Sequence, residues 1–299
     1  MTVSAAPAVS ARPREVSVRV IVAIVVTTLL WASAFVAIRS ARTHYEAGPI
    51  ALGRLIAGTA ALSVMMWIAR PKLPGRRDWL KIVICGVLWL GVYNVALNQG
   101  ERLVDAGTAA MAVNVSPILI AFLATIVLRE RLSRWVLAGL GVAFAGAVVI
   151  AISSSSHHGG LAGVLLCLLA AAAYSIAVII QKPVLARVSP VAVTWGACLA
   201  GIVVCLPFAP SLVHEVSAAP ASSTVLVLYL GLGPTAVAFS TWAYALSHST
   251  MARQGATTYL VPPLVIALSW ATLGEVPGLA AMAGGALCLA GVAVTRRRR

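Results

Sequence analysis

The sequence predicts an all-α integral membrane protein with ten transmembrane helices in two inverted five-helix repeats. Three observations lead there. The 299-residue chain is 61% hydrophobic and 10% charged, with a mean hydropathy of +0.97, whereas soluble domains are roughly 45–50% apolar. Its apolar text divides into runs of spanning length. The second half also repeats the first at a nearly constant offset, with an odd number of runs per copy.

The first set of runs covers residues 20–38, 48–69, 82–100, 106–128 and 135–153. The second covers 160–181, 190–209, 224–246, 254–274 and 276–295. A bilayer crossing takes about 20 apolar residues, so ten crossings use most of the chain and leave no room for a soluble catalytic domain. Nine of the ten runs contain no Asp, Glu, Lys or Arg, and the exception holds Arg54. The runs are built from helix formers and Gly without period-2 alternation, which favours spanning helices over an outer-membrane barrel. The first run follows a basic stretch, and Ala32-Ser33-Ala34 resembles a signal-peptidase site. Apolar text continues through Phe35 to Ile38, however, and the repeat needs this helix, so it reads as a retained span.

The net charge of +14 would point to nucleic acid in a soluble chain, but in a membrane chain the position of each cation carries the information. With the N-terminus inside, Arg12, Arg14, Arg19, Arg70, Lys72, Arg76, Arg77, Lys81, Arg129, Arg131 and Arg134 fall on the cytoplasmic side. Lys182, Arg187, Arg253 and Arg296 to Arg299 join them, making 18 inside against Arg39, Arg42 and Arg102 outside. The positive-inside rule therefore predicts a multi-pass protein of the cytoplasmic membrane with both termini cytoplasmic. The expected organisation is a cytoplasmic tail over 1–16, one repeat over 17–153, an external linker over 154–159, a second repeat over 160–295 and a basic tail over 296–299.

An offset of 145 residues aligns Gly86 with Gly231, Pro117 with Pro262, Glu130 with Glu275, Gly139 with Gly284 and Gly146 with Gly291. An offset of 141 to 142 pairs Ser33 with Ser175 and Pro49 with Pro190. A single register that unites Pro, Glu and Gly pairs is hard to obtain by chance. Five runs per copy place the copies in opposite senses, the arrangement from which transporters build alternating access.

The stretch AGTAAMAVNVSPILIAFLATIVLRERLSRWVLAGLGVAFAGAVVI (106–150) is echoed by ARQGATTYLVPPLVIALSWATLGEVPGLAAMAGGALCLAGVAV (252–294). With WASAFVAIR (31–39) and GPIALGRLIAG (48–58), these resemble the EamA domain of the drug/metabolite transporter superfamily. The likeness covers nearly the whole chain in two copies. It implies ten helices in inverted halves and movement of small metabolites, often export of amino acids or related compounds. It does not name a substrate.

Arg54 is the one charge well inside a run, and such a charge is costly enough to mark a functional candidate. A structural role, snorkelling or bonding to helix-end carbonyls, remains open beside a substrate-facing one. Asn114 lies three residues before Pro117 in the fourth run, and its repeat partner Tyr259 lies three before Pro262 in the ninth. Proline frees backbone polar groups, which at membrane depth are tolerated only against protein or a water-filled cavity. Asn114 and Tyr259 are thus the central substrate-site candidates, and Pro117, Pro262 and Pro263 the gating ones; a plain packing kink is the alternative.

Trp31, Ser33, Tyr93, Asn94, Asn98, Tyr174, Ser175, Trp195, Trp242 and Tyr244 add aromatic and neutral polar groups. Of these, Trp31, Ser33, Asn94, Tyr174, Trp195 and Tyr244 join the candidate site, since a small-ligand cavity is mostly apolar with a few polar anchors. Taken singly, residues of these types more often serve an interhelical bond or an interfacial belt than a ligand. Glu130 and Glu275, equivalent in the repeat and shared with the resembled family, are candidate gate-closing groups, with a solvated helix-end charge as the alternative. Gly141 and Ala145, and Ala281 and Gly285, have the spacing of close helix contacts.

No carboxylate lies deep in any predicted run, so a neutral or zwitterionic substrate is expected, and facilitated flux is slightly favoured over proton antiport. The five cysteines lie within the runs without CxxC spacing, and no histidine pattern indicates a metal or catalytic dyad. Neither a cofactor nor a nucleic-acid partner is expected; the expected partners are a small-molecule substrate and the lipid bilayer. The oligomeric state stays open, a homodimer being one option. The leading expectation is a non-enzymatic secondary transporter, with a passive channel as the alternative.

Overall fold

The computed structural model describes residues 17–127, 134–154, 160–248 and 258–296. Every regular element among them is helical. Helices α1 (Val18–Ala41), α2 (Ala47–Ala69) and α3 (Arg76–Leu103) are followed by two short pieces, α4 (Ala106–Val113) and α5 (Ser116–Val127). Next come α6 (Arg134–Ser154), α7 (Gly160–Val184), α8 (Pro190–Ala218) and α9 (Ala221–His248). A single 3₁₀ turn at Thr258–Leu260 then leads into α10 (Val261–Leu273), and α11 (Leu279–Arg296) follows. Seven helices among the described residues are long and apolar enough to cross a bilayer, counting Ala106–Ala124 across the α4–α5 break; α6, α10 and α11 contribute shorter apolar stretches.

The helices bury one side and leave large apolar side chains on the other. Trp67 is 73% exposed and Leu279 86%. In water such surfaces would drive aggregation, whereas in a bilayer they meet hydrocarbon. The chain is a multi-pass membrane protein.

Helix irregularities follow the repeat register. In α3 the Gly86–Tyr93 stretch is π-helical, and in α9 the Gly231–Val237 stretch is too. The fourth run breaks at Asn114 and Val115, and the 3₁₀ turn contains the equivalent Tyr259. Just after that turn, Pro262 and Pro263 occupy the start of α10, where a missing N–H costs no helical bond.

Glycines bring α6 and α11 together. A Cβ on Gly146 would lie 2.6 Å from the Gly284 carbonyl oxygen, and one on Gly284 would lie 2.7 Å from that of Gly146. Likewise a Cβ on Gly291 would meet the Gly139 carbonyl oxygen at 2.6 Å. Only residues without side chains allow backbones this close. The contact therefore does not run through Gly141 and Ala145, as the small-residue spacing alone would have it. Both are exposed, and nothing lies within 4 Å of a Cβ placed on Gly141. The register of the burial stripe selects Gly139 and Gly146 instead. The five cysteines are buried and unpaired.

Two differences from the sequence expectation bear on function. The third span runs on to Leu103, which takes Glu101 into the helix, where it is fully buried. A carboxylate buried by protein is therefore present near the end of the third span. The eighth and ninth helices are also longer than their apolar runs, reaching Pro190–Ala218 and Ala221–His248. Apolar text marks the stretch that prefers hydrocarbon, while hydrogen bonding carries the helix into the interface. Glu130, the tail over 1–16 and the linker residues 155–159 lie outside the described residues.

Candidate functional site

A central cavity forms where the irregular segments meet. Its walls are Trp31, Ala34, Phe35 and Ile38 of α1, Arg54 of α2, and Trp89, Tyr93 and Leu97 of α3. They are completed by Ala110 and Val113 of α4, Asn114, Ser116 and Pro117 around the break, Tyr174 of α7, Phe239 of α9, and Thr258 and Val261 near the start of α10. Residues 31, 34, 35 and 38 share a helix face by their 3.6-residue period. The π-helical stretch of α3 turns Trp89 and Tyr93 inward, and such stretches often mark functional sites.

Arg54 is 3% exposed and among the described residues makes one hydrogen bond, from Nε to Thr235 Oγ1 at 3.0 Å. The Thr235 hydroxyl in turn donates to the Leu230 carbonyl at 2.8 Å, spending its proton on the π-helical stretch of α9 and leaving its oxygen to accept from Arg54. Arg54 lines the cavity, and a guanidinium there suits a carboxylate, which its fork can grip with two parallel bonds.

Asn114 holds the break together. Its Nδ2 donates to the Thr258 carbonyl at 2.9 Å, tying the first copy's helix break to the 3₁₀ turn of the second. Its Oδ1 is buried and unpartnered. Buried amide oxygens of this kind are costly, and this one borders the cavity, where a ligand donor could satisfy it. Ser116 is occupied by the Val113 carbonyl, and its own carbonyl accepts from Ser175 Oγ at 3.2 Å.

One wall is an aromatic box. The Trp31 ring lies 4.9 Å from Trp242 and 5.6 Å from Phe239, and Trp89 lies 4.7 Å from Phe239 and 4.8 Å from Tyr174. These distances are those of favourable offset and edge-to-face contacts. Trp31 Nε1 and the Tyr174 hydroxyl are buried without partners.

The remaining candidates lie elsewhere. Ser33 bonds to Tyr229 and to the Leu30 carbonyl and does not line the cavity. Asn94 is turned onto its own helix, donating to the Leu90 carbonyl at 2.9 Å, and Asn98 donates to the Ala47 carbonyl at 3.0 Å. Trp195 donates to Ser63 Oγ at 2.9 Å away from the site. Tyr244 packs with Val20, Ala23 and Ala245. Tyr259 packs against Ile118 and Ala143, and its neighbour Thr258 takes the place at the cavity wall. Pro117 lines the cavity, whereas Pro262 and Pro263 do not.

Glu275 joins the network at the end of the bundle where α1 and α3 finish. Arg39 Nε donates to its two oxygens at 2.8 and 2.9 Å, and Arg39 Nη1 donates to the carbonyls of Glu101 and Val104 at 2.8 and 3.2 Å. Arg42 and Arg102 add bonds to the Arg102 and Tyr45 carbonyls, respectively. Desolvation lowers the Arg42 guanidinium from its ordinary pKa; nearby Arg39 adds to this, and Glu275 opposes it.

Sequence reasoning missed Trp89, Phe239, Thr235 and Thr258. Trp89, Tyr93 and Leu97 recur every four residues, but so do many apolar residues in a spanning helix, so the stripe stands out only after packing. Thr235 sits in Gly-Leu-Gly-Pro-Thr, a local cue to an irregular helix that says nothing of a partner 181 positions away.

Comparison with known proteins agrees with this architecture. The sequence pattern described as the EamA-like transporter family matches residues 18–152 and again 161–297. A protein of Streptantibioticus cattleyicolor named "Probable terminal-alkyne amino-acid exporter" is 37% identical over 276 residues, covering 92% of this chain and 93% of its own. The "Uncharacterized transporter YdfC" of Bacillus subtilis is 30% identical over 268 residues, 89% of this chain and 87% of its own. A solved crystal structure with 21% sequence identity superposes with a TM-score of 0.63 over 93% of this chain and 96% of that one, a likeness of fold. Two family matches that together span nearly the whole chain, and a relative 37% identical along its length, show that this protein belongs to the EamA-like transporter family.

Proposed function

We propose that the protein is a secondary exporter of amino acids or closely related zwitterions, working by alternating access of two inverted halves around the central cavity. The observation that carries the substrate class is Arg54: a buried guanidinium that lines a mostly apolar cavity and makes one hydrogen bond among the described residues. A carboxylate is its natural partner. The unpartnered Asn114 Oδ1 supplies an acceptor for an ammonium or amide proton, and the aromatic box a wall for a side chain. The name of the Streptantibioticus relative, a probable amino-acid exporter, supports the same reading.

The inverted-repeat reading is supported by reciprocal packing. Gly139 and Gly146 are the repeat equivalents of Gly284 and Gly291, yet the contacts join Gly146 to Gly284 and Gly139 to Gly291. Such an exchange of partners is what a two-fold axis produces. The two π-helical stretches, which both begin at the equivalent glycines Gly86 and Gly231, follow the same relation. In the membrane this gives ten crossings with both termini cytoplasmic, where Arg39 and Glu275 brace the outer end.

Counterflow in proteoliposomes tests the reading. Vesicles preloaded in turn with pooled amino acids, nucleosides or sugars should show transient uphill uptake of label with the amino-acid pool. Uptake that neither saturates nor responds to counter-substrate would favour a pore and end the carrier reading.

A further inference from the structure

Glu101 occupies an unusual position. It is fully buried, and both carboxylate oxygens lack hydrogen-bond partners among the described residues. Leu97, one turn earlier, lines the central cavity, and Arg102, the next residue, lines an open one at the bundle end with Arg39, Arg42 and Glu275; Glu101 itself lines neither. The neighbouring arginines do not neutralise it by contact. Arg39 uses Nε on Glu275 and takes only the backbone carbonyl of Glu101. Arg42 donates from Nη1 to the Arg102 carbonyl while its own Nε is buried without a partner.

We propose that Glu101 is a proton-binding site that couples transport to proton movement. The inference rests on the alternating-access reading above. An ionised carboxylate with no bonded partner is among the costliest things to bury, whereas a neutral carboxylic acid in the same place leaves only modest polar groups unsatisfied. In the arrangement seen, the group fits the acid: one oxygen has gained an O–H bond, the proton having come from water on the accessible side. Loss of that proton to water leaves a carboxylate beside Arg42, whose Nε is free, and Arg39, which Glu275 now holds. Either pairing draws a guanidinium away from the network at the bundle end, so the proton and the shape of that end are linked.

The groups that act on Glu101 come from every side. Arg39 and Arg42 lie at the end of α1, Arg54 on α2 and Glu275 between α10 and α11. Tyr93 on its own helix and Cys167 on α7 feel its charge, and Asp105 also acts on Cys167. His44 and Tyr45 occupy the α1–α2 turn, with Tyr45 buried. The arginines favour the carboxylate, while burial without a bonded partner and the Glu275 charge favour the acid.

Two measurements on the full chain test the site. Infrared spectra of the protein in lipid nanodiscs, with no substrate added, should show the carbonyl band of a protonated carboxyl at neutral pH that is missing in Glu101→Gln. A spectrum unchanged by the substitution overturns the proposal. Should Glu101→Gln fail to fold, Glu101→Asp is expected to retain the band at a shifted frequency, and its absence from both wild type and Glu101→Asp is likewise fatal. In proteoliposomes, an imposed pH gradient should drive wild type to accumulate pooled amino acids above equilibrium. Glu101→Gln should fall to the equilibrium level yet keep counterflow. Accumulation by Glu101→Gln equal to wild type, or a wild type indifferent to the gradient, refutes coupling while leaving the carrier reading intact. If no pool gives counterflow, the exporter reading fails, and the infrared band alone decides whether Glu101 binds a proton.

Discussion

Replacing Arg54 by Ala separates recognition from architecture. The side chain contributes one hydrogen bond to the protein, from Nε to Thr235, and Thr235 keeps its own donation to the Leu230 carbonyl when Arg54 is gone. The structural loss is therefore one bond, about 1 kcal/mol, partly offset because a desolvated charge is removed. Against a substrate carboxylate the fork provides two charge-assisted bonds of about 1.5–3 kcal/mol each. Taking the lower value for each, about 3 kcal/mol disappears, or roughly a 150-fold rise in the half-saturation concentration at about 1.4 kcal/mol per tenfold. Thermal unfolding should shift by only about 2–4 °C. Arg54→Lys keeps the charge without the planar fork and should fall between wild type and Ala. The assay is amino-acid counterflow over a concentration series, paired with thermal unfolding in detergent. Wild-type half-saturation in Arg54→Ala together with a marked fall in melting temperature would refute the reasoning and leave Arg54 a structural brace.

Other outcomes follow from the same contacts. Asn114→Ala removes the bond to Thr258 and the cavity acceptor, so counterflow should drop; Tyr259→Ala, away from the cavity, should lower melting temperature and leave half-saturation unchanged. Gly146→Ala and Gly284→Ala each push a methyl against a carbonyl oxygen of the facing helix and should destabilise by about 1–3 kcal/mol. Gly141→Ala, which meets open space, should stabilise by about 0.5–1 kcal/mol; thermal unfolding of the three variants checks the contrast. Glu275→Gln weakens a partly buried ion pair and should cost about 1 kcal/mol. Arg39→Ala also frees the carbonyls of Glu101 and Val104 and should lower the melting temperature more.

Much of this protein is legible in its text. Hydropathy over long runs determines the membrane class and the helices, because no other secondary structure satisfies a lone segment's backbone in hydrocarbon. Pro117 marked the break in the fourth run, since Pro acts on its own helix; the π-helical stretches, which begin at the aligned Gly86 and Gly231, share no such cue. Arg54 announced itself because a charge in an apolar run has no inexpensive explanation. Tertiary structure alone decided which face of each helix turns inward. In a soluble helix a polar face reveals this, but in a bilayer both faces are apolar, so Trp89, Phe239 and Thr258 could not be told from lipid-facing residues. The same ambiguity hides the α6–α11 contact, which uses Gly139 and Gly146 rather than the small-residue pair Gly141 and Ala145. Glu101 is the sharpest case. By sequence it is a charge at the end of a run, and only the packing of α1, α2 and α7 around it removes it from water.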